Sequence, residues 1–68
     1  MDIYLEVIRN GEEILVPFCE LVEEDVVTTP RGHSFTVGVA AHRSDDPDYD
    51  GWLCYDSANS GYFPEDFI

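Results

Sequence analysis

Hydrophobic and polar residues alternate from the first residues of the chain, and "IYLEVIRNGEEILVPF" reads as two strands joined by a tight turn. Asn10-Gly11 supplies two residues that tolerate positive φ, as a two-residue type I′ hairpin demands. Pairing Arg9 with Glu12 then sets Val7 opposite Ile14, Leu5 opposite Val16 and Ile3 opposite Phe18, all facing one way. The other face carries Tyr4, Glu6, Ile8, Glu13 and Leu15, a mixed surface suited to partial exposure. Pro17 falls at a non-hydrogen-bonded pair in this register, which predicts that the second strand is a sheet edge.

Beyond the hairpin the pattern stays that of short strands. "CELVEEDVV" leads to a loop at Thr29-Pro30-Arg31-Gly32, and Glu20 to Asp25 is the one stretch that suits a helical turn. "HSFTVGVAAH" alternates Phe35, Val37, Val39 and Ala41 on one face; "RSDDPDYDG" is a polar loop, "WLCYD" a short strand and "SANSG" a turn before the closing "YFPEDFI". Strands at this spacing predict an all-β chain, a small antiparallel barrel or sandwich. There are no internal repeats and no low-complexity segments.

Length and charge narrow the picture. A chain of 68 residues is one domain, near the lower limit for a single apolar core, and 44% hydrophobic residues argue that it folds. No apolar run reaches the length of a membrane span, and Met1-Asp2 leads directly into a strand pattern, so a soluble cytoplasmic protein with no membrane partner is expected. Fifteen acids stand against three arginines and no lysine, for a net charge of −12. That field repels nucleic-acid backbones and attracts basic proteins or peptides, the expected partners, although the acids also serve simple solubility.

Candidate chemistry adds little. Cys19 and Cys54 read as buried thiols, and their spacings to His33 and His42 lack the short intervals that preform half a zinc site. Asp46, Asp48 and Asp50 in "DPDYDG" match the first half of a calcium loop, but Ser57 stands where the bidentate glutamate belongs, so at most weak calcium binding follows. No nucleophile is set beside either histidine and no glycine-rich phosphate loop occurs, so neither an enzyme nor a cofactor is expected.

Gly51-Trp52 followed by Gly61-Tyr62-Phe63-Pro64-Glu65-Asp66-Phe67-Ile68 resembles the second half of a Src-homology-3 (SH3) domain, and Ser34-Phe35 with Gly38 is similar to that family's L-S-F-x-x-G segment. The resemblance implies residues 1–68 as a single domain, an SH3-like barrel over 19–68 with an added N-terminal hairpin over 1–18. It further implies a non-enzymatic module that binds a basic partner segment, proline-containing segments included. Trp52, Pro64 and Phe67 would line the groove, with Phe63 and Ile68 turned into the core. Tyr49 is a further partner-binding candidate, and the acids Asp45, Asp46, Asp48 and Asp50 in the loop before Trp52, with Glu23, Glu24 and Asp25 before the other candidate loop, would orient a cationic ligand. The same rings equally suit the core of so small a domain, which leaves Trp52 open between groove and core. A rival reading of the charge is an inhibitor that mimics nucleic acid and occupies the basic cleft of a DNA- or RNA-binding protein. An exposed edge leaves the chain as a monomer or a weak homodimer.

Overall fold

The computed structural model describes residues 3–67, so Ile68 lies outside the described residues. Strand β1 (Tyr4–Arg9) and strand β2 (Glu12–Pro17) form the expected hairpin, turning at Asn10 with φ 54° and Gly11 with φ 79°. Those angles are the left-handed pair a type I′ turn requires, which asparagine and glycine adopt at least cost. The register is the predicted one: Arg9 opposite Glu12, Val7 opposite Ile14 and Leu5 opposite Val16. Leu5, Val7 and Val16 are buried, while Tyr4, Glu6, Ile8, Glu13 and Leu15 are exposed on the opposite face.

Pro17 ends β2, and a 3-10 turn at Phe18–Glu20 drops Phe18 into the core, with the Phe18 N–H donating to the Ile3 carbonyl at 2.9 Å. This helical turn thus begins two residues before the stretch that suited it and meets it at Glu20, and a second, unexpected one forms near the C-terminus. Glu23 and Glu24 form a tight turn instead, with Glu24 held at φ 77°. Strand β3 (Val26–Thr28) follows and pairs with both β1 and strand β4 (Ser34–Arg43). The chain continues through strand β5 (Trp52–Asp56), strand β6 (Gly61–Tyr62) and a 3-10 turn at Pro64–Phe67.

All pairings are antiparallel, and the six strands lie in the order β2-β1-β3-β4-β5-β6. The fold is all-β, as expected, but among the described residues the sheet is open, and the barrel the sequence suggested does not close. The reason lies at the far edge. β6 is two residues long, and Pro64, which has no N–H to offer a ladder, turns the chain into the 3-10 turn before it can meet β2. The hairpin is part of the sheet, because β1 is bonded on both sides.

One strand departs from simple alternation. β4 runs against β5 with two register shifts, between Val37 and Val39 and between Val39 and His42. Each inserts an unmatched residue and exchanges the two faces, as β-bulges do. Phe35, Val37 and Ala41 therefore face the core as expected, but Val39 pairs with Tyr55 and is exposed. The core itself combines Leu5, Val7, Val16, Phe18, Leu21, Val27, Val37, Cys54 and Phe67. Fully burying each larger aliphatic or aromatic side chain contributes on the order of 1.5–3 kcal/mol. Phe35 and Tyr62 stack over the margin of this core, ring centroids 3.9 Å apart and nearly parallel. No helix among the described residues is long and apolar enough to cross a membrane.

Candidate functional site

The loop between β4 and β5 is closed by its own short polar groups. The Ser44 N–H donates to the Gly51 carbonyl at 2.8 Å, and the Tyr49 N–H donates to the Asp46 carbonyl at 3.1 Å, with Pro47 between them. Aspartate first and proline second is the preferred order for such a β-turn. The Asp46 carboxylate also accepts the Asp48 N–H at 2.9 Å. This folding returns Tyr49 over the sheet, where its hydroxyl donates to the Trp52 carbonyl at 2.9 Å and its ring meets Phe63 edge to face, centroids 5.0 Å apart. Gly51 makes room for it, since a Cβ there would lie 2.8 Å from the Tyr49 hydroxyl.

β5 has two different faces. Trp52 and Cys54 point toward the core, and Leu53 and Tyr55 toward Tyr49 and Phe63. The second face forms an open concavity of about 310 Å³ lined by Ser44, Asp46, Tyr49, Leu53, Tyr55, Phe63 and Glu65. Leu53 is its buried floor, Tyr49, Tyr55 and Phe63 are half-buried walls, and Asp46 and Glu65 are exposed carboxylates at its rim. Desolvation raises the Tyr49 phenol above its ordinary value, and the charges of Glu65 and Asp66 push it the same way. The hydroxyl therefore stays protonated at neutral pH in a locally negative field. His42 stacks on Tyr55 with centroids 6.2 Å apart, its Nδ1 2.8 Å from the Ala40 carbonyl oxygen.

The predicted residues are dispersed around this geometry. Tyr49 and Asp46 line the concavity. Trp52 is half-buried and packs against the core, and Phe67 is buried within it while also lining a separate concavity beside Tyr4, Glu6 and Pro30; neither lines the concavity beside Tyr49. Their large apolar rings fill a core that a chain this short has few other residues to build. Pro64 is half-buried at the start of the last 3-10 turn, and Phe63, expected in the core, stands in the concavity instead. Asp45, Asp48 and Asp50 are exposed on the same loop, with Asp50 accepting a 2.6 Å bond from Arg43. Glu23 and Glu24 are exposed in the turn before β3 and do not line the concavity. Tyr55, Leu53 and Glu65 were not foreseen, although the period of two in "WLCYD" already separates Leu53 and Tyr55 from Trp52 and Cys54.

The acids of "DPDYDG" do not converge. Among the described residues no three histidine, cysteine, aspartate or glutamate side chains come together to hold a metal ion, so the weak calcium site has no geometry behind it. Cys54 is fully buried and Cys19 half-buried, both as free thiols. Burial, with some help from Asp56, pushes the Cys54 thiol up to about 11. A thiol in that state is a packing group and a poor nucleophile. Compared with known proteins, the chain matches no family model, no curated protein and no solved structure.

Proposed function

We propose that the chain is a non-enzymatic interaction module that binds a basic segment of a partner protein in the concavity walled by Tyr49, Tyr55 and Phe63. The observation that carries this reading is the pairing of three aromatic rings with two rim carboxylates, Asp46 and Glu65, at one open depression. An arginine or lysine laid across the rings gains cation–π attraction, and its charged end reaches the carboxylates. Proline between the cations would present flat, stiff surface to the same rings at little ordering cost.

The SH3-like character is part of the proposal. The strand containing Ser34-Phe35, the strand opened by Trp52, the short turn after Asp56 and the 3-10 turn at Pro64–Phe67 support that likeness. The open sheet of six strands departs from it.

The test is titration of the protein with a synthetic peptide of alternating arginine and proline. Tyr55→Ala and Phe63→Ala are expected to weaken binding about tenfold each, and Asp46→Asn by a few-fold, with folding verified by circular dichroism. Wild-type affinity in both aromatic variants refutes the site.

A second reading has its own support: among the described residues twelve acids are exposed and Asp25 alone is buried. So dense a surface charge suits an inhibitor that occupies a nucleic-acid-binding cleft. Such binding would fall steeply with salt and ignore Phe63→Ala, whereas groove binding falls modestly.

A further inference from the structure

The open sheet leaves one full-length edge, and its chemistry is specific. Among the described residues β2 is bonded on one side only, to β1. In a two-residue hairpin Arg9 and Glu12 form the hydrogen-bonded pair nearest the turn, so bonded pairs fall at Val7 with Ile14 and Leu5 with Val16. Glu13 and Leu15 sit between them, and their N–H and C=O groups point away from β1. Pro17, next in that row, offers a carbonyl and no donor. The far edge, β6, is only two residues long.

The side chains around this edge are equally unmatched. Leu15 is 68% exposed, Tyr4 59% and Ile8 41%, and with Glu6 and Glu13 they make an apolar face bearing two carboxylates. A concavity of about 330 Å³ runs between Ile8, Leu15 and those glutamates. On the opposite side of β2, Ile14 is half-buried at the margin of the core, where one more strand would cover it.

We infer that β2 accepts an added strand from a cationic, extended segment of another protein. The segment would alternate apolar residues, which cover Ile14 and Val16, with lysines or arginines, which lie beside Glu13 on the outer face. The backbone groups of Glu13 and Leu15 supply the ladder, and the long aliphatic stems of the cations rest on Leu15. A second copy of this chain is the poorer occupant, because each copy has a net charge of −12 and brings Glu12 and Glu13 on the paired strand itself. This edge is separate from the aromatic concavity, and the inference does not depend on it.

The experiment follows amide hydrogen exchange of the whole chain with a synthetic octapeptide alternating lysine and valine. Binding is expected to slow exchange at Glu13 and Leu15 about tenfold or more. N-methylation of the peptide's alternate amides should abolish the protection, because the ladder is lost. Glu13→Lys, at an exposed position that leaves the core intact, should weaken the peptide about tenfold, and Phe63→Ala should leave it unchanged. The inference is overturned if the peptide protects Tyr49, Tyr55 or Phe63 in place of the edge. It is equally overturned if the peptide does not bind, or if the edge amides become protected with rising protein concentration alone, which would make a second copy the occupant.

Discussion

Arg9 and Asp25, sixteen residues apart in the chain, form a two-pronged ion pair at one end of the sheet: Nε donates to Oδ1 at 2.8 Å and Nη2 to Oδ2 at 2.7 Å. The Asp25 side chain is 1% exposed, and its Oδ2 also accepts the Val22 N–H at 3.0 Å. Its carbonyl takes the Val37 N–H at 2.8 Å, so a single aspartate joins β1, the turn before β3 and β4. Burial by itself would raise this carboxyl, but the Arg9 bonds, the Val22 N–H and the arginine's charge together hold it below its usual value.

Asp25→Asn should therefore destabilise the fold by about 1–3 kcal/mol, read from the denaturant midpoint, because the buried side chain loses the charge that strengthens its bonds to Arg9 and to the Val22 N–H. The pH dependence has a definite sign. A depressed carboxyl contributes stability above the unfolded aspartate value of about 3.9 and loses it as pH falls through the lower folded value. Acid unfolding of the variant should be correspondingly shallower below about pH 4.

At the other end of the pH scale Cys54 contributes, beside Tyr49. Its raised thiol stays protonated in the fold while an unfolded thiol ionises near pH 9. Stability is intact below that value and declines as pH rises toward about 11, by roughly 3 kcal/mol in all. Guanidinium unfolding at about pH 8 and about pH 11 should reveal that decline, and Cys54→Ala should reduce it to what the raised Tyr49 phenol contributes. An equal decline in the variant would move the cause elsewhere.

The two phenylalanines near the C-terminus should separate stability from binding. Phe67 meets Phe18 at 5.9 Å and Phe35 at 6.2 Å between ring centroids within the core, so Phe67→Ala should destabilise the fold by about 3–4 kcal/mol. Phe63→Ala removes a half-buried wall of the concavity and should cost under about 2 kcal/mol. Thermal unfolding of the pair, side by side, distinguishes them.

Glu24 is held in the left-handed region at φ 77°, where its Cβ crowds the following carbonyl. Glu24→Gly should relieve that crowding and raise stability by about 1 kcal/mol in urea titration. A loss of stability would mean that the Glu24 side chain makes a compensating interaction.

Reading the sequence succeeded where local chemistry decides the outcome. Asn10-Gly11 admits one turn, the turn sets one register, and the register sorts Leu5 and Val7 from Glu6 and Ile8 without any knowledge of the rest of the chain. It failed at Val39, because the bulges that turn this residue outward are a property of the β4–β5 pairing and leave no mark on the apolar pattern. Trp52 and Tyr55 illustrate the same boundary. Alternation states that they lie on opposite faces of β5, but which face is walled into a concavity depends on Tyr49 and Phe63 arriving from two separate segments. The resemblance rests on Trp52 and Phe67, which pack with the core, while Leu53 and Tyr55 line the concavity on the other face of β5.

The strand order bears on how quickly the protein reaches this state. Every neighbouring pair in the sheet except β1 with β3 is also consecutive along the chain. Such pairs close through short connections, whose entropic cost is small, and each formed hairpin is a template for the next. Only the docking of the first hairpin against β3 requires a longer closure, across β2 and the 3-10 turn. A topology so dominated by local pairings belongs at the fast end of all-β folding, on the millisecond side, where partly formed sheets have little time to find one another.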